Sequence, residues 1–378
     1  MNLQQPIKLG AKACMIRSLR QVPRTCFFYL LGFIEGGKMK LYSNEIVFRG
    51  HPDKVCDQIS DALLDAYLKQ DENARCAIEV MGGKGKIFIT GEVTTTATID
   101  IPKIVNNLLK DIGYQEEYEI INNLGQQSKD IALGTNKEIG GAGDQGMMFG
   151  YACDDTEELL PTAMVILQKL SRWYDQEQKR NPSLYPDGKA QITGYYDDNM
   201  KLQKIKYFTI SYQNDEQHRE KTDQLIKEKC LSICKEYNIE VENFLINPTG
   251  RFEIGGFEGD AGLTGRKIVV DSYHSFARVG GGAFSGKDPS KVDRSAAYKA
   301  REIAKDYLKK YHLTWCLVQL SYAIGVEEPL AIYIDSNKGN IEVDSTLYQE
   351  CTPKNIIKDL DLYHTCYEEK ARFGHFTN

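Results

Sequence analysis

Gly280-Gly281-Gly282-Ala283-Phe284-Ser285-Gly286-Lys287-Asp288-Pro289-Ser290-Lys291-Val292-Asp293-Arg294-Ser295 is a glycine-rich loop that runs into charges of both signs. Glycines let backbone N–H groups close on an anion, Lys287 and Lys291 supply positive charge, and Asp293 can hold a divalent cation. Those are the parts of a polyphosphate–metal site. Gly281, Gly286 and Lys287 fit the spacing of a P-loop, but Asp288 stands where that loop needs Ser or Thr for magnesium, so the P-loop reading is weak. Gly50-His51-Pro52-Asp53-Lys54 sets a histidine and an aspartate at a helix start, where the helix dipole favours an anion. The plain alternative is that Asp53 only caps the helix. Arg251-Phe252, Asp260 and Arg266-Lys267 lie in a glycine-dense stretch; Arg and Lys suit triphosphate oxygens and an aromatic ring can stack on a base. Asp187-Gly188-Lys189 opens a strand and could be no more than a turn with an exposed lysine, and Glu79 and Glu92 could be surface acids. No Ser–His–Asp or Cys–His arrangement stands out, and His218, His274, His312, His364 and His375 read as structural. The chain is rich in groups that neutralise a polyphosphate and poor in nucleophiles, so the attacking group should come from the substrate.

The elements that must position these residues follow from periodicity. Val55, Ile59, Ala62, Leu63 and Ala66 have helical spacing over Pro52–Gln70, and Pro52 suits the first turn. Ala77–Met81 and Lys86–Thr94 alternate around Gly82-Gly83-Lys84-Gly85 as a hairpin. A helix follows over Ile101–Asp111. Next come a helix near Leu159–Glu177, strands Lys189–Tyr196 and Lys201–Tyr212, and a helix ending near Tyr237. The last third offers strand Lys267–Asp271, helix Arg294–Tyr311, and strands Leu317–Ile324 and Ala331–Asp335. Three rounds of hairpin plus helix indicate an α+β protein of three similar α/β modules. Gly125–Gly146 is polar and aperiodic and reads as a mobile loop.

A chain of 378 residues with 26% charged residues suits a globular protein of two or three modules. Its net charge of -6 argues against a nucleic-acid partner. No apolar run approaches the roughly 20 residues that cross a bilayer, so no membrane partner is expected. The 10 cysteines contain no Cys-x-x-Cys pair, and a reducing cytoplasm fits. Residues 1–38 carry six basic side chains against one acid, a surplus of five that leaves -11 on the remainder. Glu35-Gly36-Gly37-Lys38-Met39 is what a purine-rich ribosome-binding site gives when translated in frame. Residues 1–38 are therefore read as upstream sequence and Met39 as the start.

Gly50–Lys54, Asp57-Gln58-Ile59-Ser60-Asp61-Ala62, Gly141–Gly150, Ile246-Asn247-Pro248-Thr249-Gly250-Arg251-Phe252, Gly262-Leu263-Thr264-Gly265-Arg266-Lys267 and Gly280–Ser295 together resemble the S-adenosylmethionine synthetase (methionine adenosyltransferase) family, from about Lys40 onward. The resemblance implies three modules about a pseudo-three-fold axis, here 39–139, 140–254 and 255–378. It implies a homodimer with active sites at the subunit interface, and a homotetramer as an alternative. The implied reaction joins the sulfur of L-methionine to C5′ of ATP and then hydrolyses the tripolyphosphate, with two Mg2+ per site and K+. By motif, His51 stabilises the departing oxygen, Asp53 and Asp293 hold magnesium, and Glu79 holds potassium. Glu92, Gln127, Asp260 and Lys291 contact methionine. Asp187, Lys189, Arg251 and Asp260 contact the nucleotide, and Phe252 stacks on adenine. Arg266, Lys267 and Lys287 grip the triphosphate beside Ala283, and His51, Lys189, Arg266 and Lys287 form the catalytic set. A catalytically silent nucleotide-binding paralogue with a regulatory role is the alternative. Arg49 departs from the family's acidic residue at that place and reverses a charge next to the site, and the loop after Gln127 is short, with Ser128-Lys129-Asp130 in place of the common Ser-Pro-Asp.

Overall fold

The structure, a computed structural model, describes residues 39–126 and 140–376. The first stretch runs β1 (Lys40–Val47), α1 (Pro52–Gln70), β2 (Arg75–Gly83), β3 (Lys86–Thr94), α2 (Ile101–Ile112) and β4 (Glu119–Gly125). The second runs β5 (Gly146–Cys153), α3 (Thr162–Gln178), β6 (Leu184–Tyr196), β7 (Leu202–Asn214), α4 (Arg219–Glu236) and β8 (Val241–Ile246). The third runs β9 (Gly262–Leu263), α5 (Val292–Lys310), β10 (Trp315–Tyr322), β11 (Ala331–Ser336), α6 (Pro353–Asp359) and α7 (Tyr367–Phe373), with short helical turns left unlabelled.

Local chemistry explains the boundaries. Asp100 caps α2 by accepting the Lys103 N–H at 3.1 Å, a proline occupies its first turn, and Gly113 at φ 120° ends it. The turn between β2 and β3 passes through Gly85 at φ 70°, the left-handed conformation a tight hairpin needs. Between β6 and β7, the Asp197 carboxylate accepts the N–H groups of Asn199 and Lys201, each at 2.9 Å, and folds the turn.

The three stretches share one order: strand, helix, antiparallel hairpin, helix. In the first two, a further strand returns parallel to the hairpin (β4 on β3, β8 on β7). The opening strand of each stretch leaves its own sheet. β1 pairs with β6, β5 pairs with β10, and β9 pairs with β2, all antiparallel. The sheets therefore read β1-β6-β7-β8, β11-β10-β5 and β4-β3-β2-β9. Each stretch lends a strand to the next, and the third lends one back to the first.

Two apolar cores result. The larger joins α1, α2 and α5 to β2, β3, β5 and β10, and the smaller packs α3 and α4 on β1, β6 and β7. Helix α1 is buried on nearly every side, including Asp53, Lys54, Asp57, Gln58, Ser60 and Asp61. Its polar groups must find partners inside the protein. Cys230 and Cys234 are small buried residues of the second core, as their spacing suggests. Among the described residues no helix is long and apolar enough to cross a membrane.

The helices and hairpins anticipated from periodicity are present within a few residues of their expected ends. The expected strand Lys267–Asp271 is instead a helical turn, Ile268–Asp271, closed by the Asp271 N–H on the Lys267 carbonyl at 2.8 Å. A short β-branched run cannot declare its conformation by periodicity; here Asp271 is turned inward to meet Lys54 at 2.7 Å. The mobile loop read over Gly125–Gly146 lies mostly outside the described residues, apart from its two ends.

Candidate active site

The site is organised by α1. Asp53, Asp57, Asp61 and Asp65 recur every four residues and so share one helix face. Like charges at that spacing repel, yet each carboxylate is engaged by its own set of donors from distant parts of the chain. Asp53 accepts the Leu263 N–H at 3.0 Å and the Lys267 ammonium, with the Arg266 guanidinium at 3.5 Å. Asp57 accepts the Gly265 N–H at 2.8 Å and faces Lys54 at 3.0 Å. Asp61 accepts the Gly286 N–H at 2.8 Å and a two-pronged contact from Arg294 at 2.6 and 2.8 Å. Asp65 accepts the N–H groups of Tyr367 and Glu368 at 3.0 and 2.9 Å. One helix face thus pins the 262–267 loop, the glycine-rich segment and the C-terminal helix.

His51 caps α1: its Nδ1 accepts the Asp53 N–H at 3.2 Å, which leaves the Asp53 carboxylate free to face the loops. The capping reading of Asp53 is therefore replaced by capping from His51. Burial, reinforced by Lys267 and Lys189, pulls the His51 imidazole down to about 4 against the opposite pull of Asp53 and Asp260. With Nδ1 accepting, the neutral ring carries its proton on Nε2 and can donate one hydrogen bond on its free face. Lys189, Asp260 and Lys267 lie near enough to His51 for their charges to act on its ring.

The glycine-rich segment supplies a second group. Lys287 is ion-paired with Asp293, in the first turn of α5. Gly282 lies so close to Asp293 that a Cβ there would meet its carboxylate at 2.2 Å. Gly286, at φ 82°, approaches the Ile78 carbonyl within 1.9 Å of where a Cβ would stand. Only glycine fits there. Ala283 lies 2.7 Å from the place of a Cβ on Gly265, which brings the segment against the loop carrying Arg266 and Lys267. Asp288 is fully buried and accepts the Cys76 N–H at 2.7 Å, the Ser290 N–H at 2.9 Å and the Lys291 ammonium, with Arg75 at 3.4 Å. Burial alone would push its carboxyl up, but Lys291 and Arg75 outweigh burial and hold it below the usual range. The residue that spoils the P-loop pattern is the anchor of this loop.

Asp187 lies within β6, and its carboxylate accepts the Gly256 N–H at 2.8 Å. Burial raises its carboxyl to about 6. It holds the chain after Arg251 and Phe252, where Arg251 is exposed and pairs with Glu253. Glu79 and Glu92 are not brought to the α1 face. Along β2, Cys76, Ile78 and Val80 are buried while Glu79 and Met81 are exposed. Glu79 pairs with Thr90, and Glu92 with Ala77, on that outer surface. Gln127 lies outside the described residues.

Arg49, the charge-reversed position, is turned away from His51. It is 2% exposed and meets Asp111 at 2.7 Å, Glu368 at 3.3 Å, Asp175 at 3.5 Å and the Gln58 side chain at 2.7 Å. Three acids from α2, α3 and α7 absorb its charge. Asp57 and Asp61 stood in a motif of the resemblance without an assigned part, and the residues that sequence reasoning passed over are Asp65, whose trace was the four-residue recurrence, and Glu45, which lines a cleft with Arg266 and Lys267. The anchoring part of Asp288 left no trace beyond a failed motif.

Paired acids and lysines beside close-packed glycine backbone define a protein that handles a highly charged phosphate chain. The chain belongs to the S-adenosylmethionine synthetase family. Residues 39–130 match the N-terminal domain of S-adenosylmethionine synthetase, 139–252 its central domain and 254–378 its C-terminal domain. It is 43% identical to the S-adenosylmethionine synthase of Clostridium tetani (strain Massachusetts / E88), over 89% of this chain and 94% of that protein.

Proposed function

We propose that the chain transfers the adenosyl group of ATP to L-methionine. The methionine sulfur attacks C5′, the C5′–O bond breaks, and tripolyphosphate leaves; water then splits tripolyphosphate into phosphate and diphosphate. The observation that carries the reading is the matched charge pairs Asp53–Lys267 and Asp293–Lys287. Each joins a group suited to a hard cation to one suited to a phosphate oxygen. When ATP binds, Lys267, Lys287 and Arg266 turn to triphosphate oxygens and the two carboxylates are released. Among the described residues no three potential ligands cluster to hold a metal unaided, as suits magnesium, which takes one or two carboxylates and completes its shell with phosphate and water. Asp53 and Asp293 would hold the two Mg2+, which neutralise the triphosphate, and Glu79 would hold K+.

Neutral His51 donates to the departing oxygen, and Lys189 and Asp187 border the nucleotide. Arg251 and Phe252 receive the nucleotide, with the ring against adenine. Asp260, Glu92, Gln127 and Lys291 receive methionine. Catalysis then rests on positioning and fixed charge, without a covalent intermediate. Glu79 and Glu92 share the outer surface of the β4-β3-β2-β9 sheet with half-exposed Met81, Phe88 and Leu263. An apolar, acid-bearing face of this kind suits a second copy, which would bring both glutamates to the partner's α1 loops; the assembly is a homodimer, in the reducing cytoplasm.

Phosphate release should be measured with ATP and magnesium, with and without methionine and potassium, while S-adenosylmethionine is followed by chromatography. The product should appear only with methionine. ATP binding without any product would reject the proposal.

A further inference from the structure

Behind the Asp288 anchor lies a cleft of about 580 Å³, within the range that holds small organic ligands. Its floor is apolar, from Pro353 and Ile357 of α6 and the ring of Tyr363. Arg75, Lys354 and Lys358 bring positive charge to it, and both lysines are exposed. Glu72 and Asp361 oppose them, but the Asp361 carboxylate is occupied by His364 at 2.6 Å. The balance favours an anion over an apolar floor. The cleft also reaches Ser290, whose N–H rests on Asp288.

The coupling to the active site is short. Arg75 and Lys291 share one buried carboxylate, Asp288, Arg75 on one oxygen and Lys291 on the other. An anion that draws Arg75 into the cleft leaves Lys291 as the remaining cation on Asp288. Lys291 is then held harder and is less free to meet a substrate carboxylate. We infer that this cleft binds a small organic anion, a carboxylate or phosphate on an apolar body, and that its occupancy weakens methionine binding through Arg75, Asp288 and Lys291. The coupling rests on placing Lys291 beside methionine; the binding site does not.

The probe is 1-naphthoate, titrated calorimetrically into the full chain with and without saturating ATP. One site should be seen, insensitive to ATP, and weakened roughly tenfold or more in Lys354→Glu/Lys358→Glu, the scale of reversing two exposed charges. In turnover assays 1-naphthoate should raise the methionine KM several-fold at unchanged kcat, and the double variant should keep basal turnover and lose that response. No binding up to ~10 mM, a Kd corresponding to under about 3 kcal/mol, overturns the site. So does binding unaltered by the double reversal, or abolished by ATP. An unchanged KM with the site filled overturns the coupling alone. If no adenosyl transfer is found at all, the calorimetry still decides the site.

Discussion

At the scale of single residues, the charge pairs convert sequence into chemistry. Lys287 balances Asp293 and, on the function proposed above, is the group offered to the triphosphate, so Lys287→Met should lower kcat by roughly 100-fold or more, the cost of one preorganised electrostatic contact. A fall of less than about threefold would remove Lys287 from the catalytic set. His274 gives a separate test of buried charge. It is 3% exposed, and burial holds its imidazole down to about 4. The folded value lies below the unfolded 6.5. No penalty exists above that pH; it grows as pH falls from about 6.5 to 4 and is constant below, because only the unfolded chain takes up the proton. His274 also adopts φ 52°, which asparagine tolerates. His274→Asn should therefore gain stability relative to the unaltered chain as acidity rises, by about 2–3 kcal/mol between pH 7 and 4.5. Denaturant midpoints whose difference does not change with pH would contradict the burial argument.

Among the elements, α1 behaves as a comb whose teeth hold two loops and a helix. Asp65 caps α7 from outside that helix, so Asp65→Ala should cost about 1–2 kcal/mol and release α7 first, read as faster amide exchange at Tyr367 and Glu368. Arg49, itself buried, fastens the same region through buried Glu368, partly buried Asp175 and exposed Asp111. Arg49→Met should lose roughly 3 kcal/mol, the scale of breaking a buried pair, with kcat per folded molecule within about threefold because the side chain points away from His51. A larger fall in kcat with intact stability would place Arg49 in the site after all. How much of this was legible depends on the range of each contact. Helix α2 announces itself through Asp100, its proline, Gly113 and an apolar face, all local signals. Strands β1, β5 and β8 went unread because they are stabilised by distant partners, not by their own alternation. The motif residues of the site were visible as types, whereas the pairings Asp53–Lys267 and Asp61–Arg294 join positions over 200 residues apart, and spacing carries no information about them.

For the whole molecule, the exchange of opening strands ties the three sheets into one closed circuit. No stretch retains a complete sheet when cut from the others, so thermal unfolding should be a single transition, superimposable by far-ultraviolet circular dichroism and tyrosine fluorescence. Two resolved steps would show that the circuit does not enforce cooperativity. The circuit also sets an order of events during synthesis. The β1-β6-β7-β8 sheet can close only after Ile246 has been made, the β4-β3-β2-β9 sheet only after Leu263, and the β11-β10-β5 sheet only after Ser336. Through much of translation the nascent chain must therefore carry open strand edges. The N-terminal stretch, first off the ribosome, cannot finish its sheet before the central one has had the chance to close.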